Sequence, residues 1–141
     1  MNLFLDTSAL IKLYVDELDS PLVRRAIETS PMCAVSRIAW AEAHAALARR
    51  ERDHSISSDL LAQACSALEQ DWPAFSIVEV SQQVVEKAAE YAIVFGLLAY
   101  DSVQLASAAV WTQQSEEPVV FACFDAQLNR AAKVLNLHTL K

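Results

Sequence analysis

Four acidic side chains at widely separated points of the chain, Asp6, Glu42, Asp101 and Asp125, have the type and setting to do chemistry. Asp6 follows directly on the apolar run Asn2–Leu5, and Asp125 follows Val119–Phe124. If these runs are parallel strands, both carboxylates leave at the carboxyl edge of the sheet, where α/β sheets form their ligand crevices. Each aspartate also stands where a helix begins, so either one alone reads first as an N-cap. Asp101, just ahead of Ser102-Val103-Gln104-Leu105, is open to the same reading. Glu42 is different. It falls inside the helical stretch Ile38-Ala39-Trp40-Ala41-Glu42-Ala43-His44-Ala45, on a face expected from positions 38, 41, 45 and 48. An acid on a core-facing stripe is costly unless something pairs with it. None of Arg37, Arg49, Arg50 and Arg52 stands four residues away, which leaves a distant salt bridge or a bound cation.

A cation accounts for all four acids at once. Clustered carboxylates repel, and one or two hard divalent ions with oxygen ligands remove that repulsion. A set without His or Cys favours magnesium or manganese over zinc. Two such ions about 4 Å apart can stabilise the attacking and leaving oxygens of a phosphodiester displacement.

The elements that must position these acids are legible in the periodicity. Asn2–Leu5, Phe75–Val80 and Val119–Phe124 read as strands, with weaker candidates at Met32–Val35 and Leu137–Leu140. Helices are expected from Ser20 as N-cap with Pro21 at the first helical position, from Ser36 to about Arg52, and from Ser57 to a point before Pro73. Further helices are expected from Ser81 to Gly96, over Asp101–Gln114 and over Asp125–Leu135. Strands alternating with helices predict a mainly parallel sheet covered on both faces. The 141 residues are expected to form one domain.

Composition narrows the class. The single Gly and four Pro argue against a many-turned β-sandwich, and 54% hydrophobic residues suffice for a core. Cys33, Cys65 and Cys123 form no CxxC pair and no metal pattern with His44, His54 or His138, so reduced thiols in a cytoplasmic protein are expected. The N-terminus lacks a basic region and a long apolar run, and no stretch reaches the ~20 residues of a membrane span. One glycine cannot build a dinucleotide-binding turn, and no G-x-S-x-G elbow is present for a serine hydrolase. A phosphatase of the haloacid-dehalogenase kind would show Asp-x-Asp after its first strand, where Thr7-Ser8 follows Asp6 here. A net charge of −7 counts against nucleic-acid binding, unless several acids form one metal site whose ion reverses the local sign.

Four segments carry a family resemblance. Leu3-Phe4-Leu5-Asp6-Thr7-Ser8-Ala9-Leu10 resembles the opening of PIN domains, and Ser36-Arg37-Ile38-Ala39-Trp40-Ala41-Glu42 resembles their second motif. Gly96-Leu97-Leu98-Ala99-Tyr100-Asp101-Ser102-Val103-Gln104-Leu105-Ala106 resembles the third, and Phe124-Asp125-Ala126-Gln127-Leu128-Asn129-Arg130-Ala131-Ala132 the fourth. Order and spacing match from residue 3 to about 140, and the wording is most similar to VapC-type toxins of toxin–antitoxin pairs.

The resemblance implies a three-layer α/β/α fold with a central parallel sheet of about five strands, in the order 3-2-1-4-5. It implies a magnesium- or manganese-dependent endoribonuclease that cuts transfer or ribosomal RNA, a homodimer, and a cognate antitoxin that inserts a segment near the acids. On this reading Asp6, Glu42 and Asp101 hold the main ion, and Asp125 joins through water or a second ion. The attacking group is water activated on the ion. Thr7 and Ser36 orient ligands or phosphate, or simply cap helices. Lys12, Arg49 and Arg50 are candidate RNA contacts, against the plainer reading of solvated or dipole-pairing cations. An RNA-processing nuclease outside any toxin pair, and a non-catalytic binding module on the same fold, are the alternatives. Two departures stand out: Cys123 where many relatives carry Thr or Ser, and Phe95 where many carry a basic residue before the glycine.

Overall fold

A computed structural model describes residues 1–141. Five strands, β1 (Asn2–Leu5), β2 (Cys33–Ser36), β3 (Ser76–Val78), β4 (Val119–Ala122) and β5 (His138–Thr139), form one sheet in the order β3-β2-β1-β4-β5. Every pairing is parallel, with Phe4 opposite Ala34 and Phe121, and Ser36 opposite Val78. The expected strand order is therefore the observed one. All four residues of β1 are buried, as the middle strand of a sheet covered on both faces requires.

Alternation along the strands sorts the core into two layers. Leu3, Leu5, Val35 and Ala122 face one way, toward α1 (Thr7–Leu10), α2 (Ser20–Glu28), α3 (Ala39–Arg52) and α4 (Ser58–Asp71). Phe4, Ala34, Val78, Val119 and Phe121 face the other way, toward α6 (Ala99–Gln114) and α7 (Ala126–Val134). Outside α6 lies α5 (Gln82–Phe95), joined to it through Val84, Ala88, Ala106 and Val110. Helix α6 is thus sandwiched between the sheet and α5, and it buries Ser102 and Gln104 through Val110. No single helix is long and apolar enough to cross a membrane.

Local signals set most boundaries. The hydroxyls of Ser57 and Ser81 accept from the amides of Leu60 and Val84, as capping serines do. Gly96 closes α5 at φ 66°, the left-handed conformation that an L side chain resists. Four expectations need correction. Ser20 is the first residue of α2, not its cap, because its hydroxyl instead accepts from the Glu17 amide and donates to the Val15 carbonyl. Ser36 ends β2 rather than capping a helix, and α3 starts at Ala39. Helix α6 starts at Ala99, not Asp101, because Leu98 is the last extended residue. The buried face of α3 is Ala39, Ala43 and Leu47, whereas Ala41 and Ala45 are exposed. Glu42 therefore flanks the core face instead of lying at its centre.

Candidate acidic site at the carboxyl edge of the sheet

Parallel pairing sends the ends of β1, β2 and β4 to the same edge. Asp6 leaves β1 there, and its amide donates to the Ala122 carbonyl of β4 at 3.1 Å. It is 5% exposed. Its Oδ1 caps α1, accepting from the Ser8 amide at 2.7 Å, the Ala9 amide at 3.3 Å and the Ser8 hydroxyl at 2.5 Å. Oδ2 receives no amide or hydroxyl hydrogen bond, and the Cys123 thiol is the remaining side-chain partner of the carboxylate. Asp125 caps α7 in the same way, its Oδ1 accepting from the Leu128 amide at 2.8 Å, but it is exposed. Each cap therefore occupies one oxygen of its carboxylate.

Glu42 sits in the first turn of α3, half-buried. Its Oε1 accepts from the Gln104 amide at 2.7 Å and from the Thr7 hydroxyl at 3.3 Å, and Gln104 also donates to Thr7 at 3.1 Å. Neutral donors, not an arginine, answer its local partner question. Asp101, in the first turn of α6, makes no hydrogen bond or ion pair and is half-buried.

The charges of these acids act on one another. Burial raises the pKa of Glu42, and the charges of Asp6 and Asp101 raise it further. Burial raises Asp101, with Asp125 adding to it. Burial also raises Asp6, against the opposing pull of its hydrogen bonds to Ser8. None of the seven ion pairs of the molecule involves any of the four acids. They form a like-charged group at one edge with no protein cation to balance it. They do not close into a ready-made shell: no three His, Cys, Asp or Glu side chains stand where one ion would touch all of them.

Other expected residues fall variously. Thr7 joins the cluster through Glu42. Ser36 is fully buried, and its hydroxyl accepts a long bond, 3.4 Å, from the Ile38 amide in the β2–α3 turn and makes no hydrogen bond to an acid of the cluster. Lys12 follows α1 and bonds Glu17 at 3.3 Å and the Leu18 carbonyl at 2.8 Å. Arg49 and Arg50 lie two turns along α3 from Glu42, roughly 10–12 Å by helical rise. Arg50 pairs with the same Glu17 as Lys12, at 3.1 Å, and exposed Arg49 faces Asp53 at 4.0 Å. Neither arginine is brought to the acids.

Two residues escaped the sequence reading. Gln104 is 2% exposed and lies one turn beyond Asp101 on α6. A polar residue inside an apolar helical run was the available signal, but its partners lie 62 and 97 residues away. Ser8 donates to Asp6 and accepts from the Phe124 amide at 2.9 Å, tying the β1 and β4 ends together. Cys123, at the departure from the family pattern, is buried with its thiol pushed well up by burial and the nearby Asp6 charge. Its sulfur accepts weakly from the Asp125 amide at 3.3 Å, where a hydroxyl would do so more strongly. Phe95 offers only its carbonyl, to Gln127 at 3.4 Å.

The chain matches the model of the PIN domain over residues 3–134. It is 32% identical over 129 residues to ribonuclease VapC45 of Mycobacterium tuberculosis, covering 92% of this chain and 88% of that protein. The fold is similar to FitAcB from Neisseria gonorrhoeae, with a TM-score of 0.71 at 19% identity, over 99% of this chain and 96% of that one. It is also similar to VapBC-5 from M. tuberculosis, a member of the VapBC family of toxin–antitoxin systems, with a TM-score of 0.64 at 16% identity over 98% and 96% of the two chains. With the domain model matched over residues 3–134 and a relative 32% identical over most of both chains, this chain belongs to the PIN domain family.

Proposed function

We propose that this protein is a magnesium- or manganese-dependent endoribonuclease, the toxin of a toxin–antitoxin pair that acts in the cytoplasm on structured RNA of the transfer or ribosomal kind. The observation that carries the reading is the uncompensated acid cluster, in which three carboxylates have raised pKa values and no protein cation pairs with any of the four. The 32% identity to a ribonuclease supports the phosphodiester chemistry. Kinship with VapC-type proteins supports the antitoxin partner and a homodimer.

The donors fit a hard divalent cation. All are carboxylate oxygens, and each acid keeps at least one oxygen that no amide or hydroxyl donor engages. Asp6, Glu42 and Asp101 would hold the ion, with Asp125 joining directly or through water. When bound, it supplies Lewis acidity toward phosphate and water. The chain's own residues do the positioning. Gln104 and Thr7 both grip Oε1 of Glu42, which fixes the carboxylate and leaves Oε2 outward. Ser8 and the α1 amides do the same for Oδ1 of Asp6.

Gln104 is therefore a positioning residue. Gln104→Leu is expected to lower cleavage roughly ten- to a hundredfold and to weaken metal binding in parallel, as loss of a group that orients a ligand does. Folding should tolerate the change, since the Gln104 carbonyl oxygen is buried without a partner and its removal relieves that cost. Metal affinity measured by calorimetry checks the assignment; an unchanged affinity contradicts it.

The deciding experiment is incubation of the purified chain with total RNA plus magnesium or manganese, with chelator as control. Cleavage that needs the ion is expected, and intact RNA under all conditions refutes the reading. Thermal melting adds a pH test. The folded pKa values of Asp6, Glu42 and Asp101 lie above the ordinary 3.8, 4.5 and 3.8. The native state therefore retains protons that the unfolded chain has released. This contribution to stability is present at low pH and is lost as pH rises from that ordinary range through the raised values. A divalent ion binds the ionised form, so the gain in Tm with manganese should grow with pH across the same window. It reaches about 2.7 kcal/mol at a hundred times Kd. A gain that does not vary with pH locates the ion elsewhere.

A further inference from the structure

We propose that a basic cavity beside the β4–α7 junction is a phosphate subsite that seats the RNA backbone next to the acid cluster, an inference that rests on the ribonuclease reading above. The cavity is about 540 Å³. Helix α7 lines it with Asn129, Arg130 and Lys133, which share one face by their spacing. Lys12 enters from the turn after α1, and Lys141 enters from the chain end. Phe124 lies among these cations, its ring centroid 4.8 Å from the Lys12 ammonium and 5.9 Å from that of Lys141.

Charge decides what the cavity prefers. Lys12 is held by Glu17 and Lys141 by Asp19, whereas Arg130 and Lys133 pair with no carboxylate and stand exposed on α7. Of the side chains that line the cavity, Lys12, Arg130, Lys133 and Lys141 are cationic and Asp19 alone is acidic, a local surplus of cationic side chains on a protein whose net charge is −7. A surplus of the opposite sign to the whole molecule concentrates anions where it lies.

Position decides which anion. The Phe124 amide donates to Ser8, whose hydroxyl donates to Asp6, and the Asn129 amide donates to the Cys123 carbonyl at 2.8 Å. The cavity wall and the acid cluster are thus built on the same segment, Cys123–Asp125. A strand whose scissile phosphate meets the acids carries further phosphates on either side, and these need protein cations instead of carboxylates. Arg130 and Lys133 supply them, and the Lys12 ammonium over the Phe124 ring borders the same opening.

The test uses Arg130→Ala and Lys133→Ala together, in the full chain. Binding of a fluorescein-labelled single-stranded RNA of mixed sequence is followed by anisotropy in chelator, where no turnover occurs. Cleavage kinetics in manganese are then measured separately. The pocket holds RNA without the ion, so wild-type binding at low salt is expected. The double variant should bind several-fold more weakly, with the salt slope of log K reduced by about 1.4, two contacts at roughly 0.7 each on a single strand. KM should rise with kcat little changed. Unaltered melting shows that the variant is folded.

If wild type cleaves RNA but the double variant equals it in binding, salt slope and KM, the subsite is wrong and the nuclease reading stands. If wild type neither cleaves nor binds RNA, both fail together. Wild type that cleaves but does not bind in chelator overturns the subsite. Equal weakening by Arg49→Ala with Arg52→Ala, on the distant end of α3, shows bulk charge at work and also overturns it. Tighter wild-type binding of polyglutamate than of RNA reassigns the cavity to an acidic protein partner.

Discussion

Asp101→Asn and Asp6→Asn, each made alone, are expected to lose metal-dependent RNA cleavage on the order of a thousandfold, about 4 kcal/mol of transition-state stabilisation, while the chain stays folded. The structure separates the two halves of that expectation. Asp101 makes no hydrogen bond and no ion pair, and its charge is disfavoured by burial and by Asp125. In the absence of an ion its negative charge works against the fold, apart from a small favourable interaction with the start of α6. Asp101→Asn should therefore melt at the same temperature as wild type or slightly above it in chelator, and should lose most of the stabilisation that manganese brings.

Asp6 is less free, because its Oδ1 caps α1. Asparagine caps nearly as well and keeps an oxygen for Ser8, so Asp6→Asn also folds. The measurements are initial cleavage rates and melting curves with and without manganese. Full cleavage by either variant removes that residue from the proposed site. Lost cleavage accompanied by a collapsed melting temperature would make its role structural.

The second large effect concerns the frame. Phe121→Ala is expected to cost about 3–5 kcal/mol of folding stability, a drop in Tm of roughly 10–20 °C for a chain of this size. Phe121 is 1% exposed on the central part of the sheet and stacks on fully buried Phe4, with ring centroids 6.0 Å apart. Denaturant unfolding checks the figure, and a loss under 1 kcal/mol would mean that the helix layer of α6 and α7 closes over the gap. Phe4 and Phe121 sit two and four residues before Asp6 and Asp125. Weaker packing there should also loosen the edge that holds the acids, so part of the cleavage rate should fall with the stability.

These two results would bear on different levels of the molecule, and the same division runs through what could be read from the chain. Sequence periodicity carried the alternation of strands and helices, and Ser57, Ser81 and Gly96 marked helix ends through bonds made within a few residues. Such signals are local, so they survive without the fold. Even so, Asp101 looked like a helix start, because nothing in Leu98-Ala99-Tyr100 shows from sequence alone that α6 begins two residues earlier. The face of α3 was misread for a related reason. In an alanine-rich helix the small residues ring the axis, and only the sheet beneath decides that Ala39, Ala43 and Leu47 turn inward.

The four acids were legible by type and by their position after strands and in helices. What they do to one another was not. Parallel pairing of β1 with both β2 and β4 gathers them, and burial at that edge raises the pKa values of Asp6, Glu42 and Asp101. Gln104 acts through partners 62 and 97 residues away, and Ser8 joins its neighbour Asp6 to Phe124, 116 residues away. The basic cavity likewise joins Lys12, after α1, and Lys141, after β5, to α7. Composition and spacing by themselves determined which side chains could do chemistry and which elements would carry them, because those follow from covalent order and short-range periodicity. Only the tertiary structure decided which groups meet and which carboxylate oxygens stay free, because desolvation and Coulomb forces depend on distance in space.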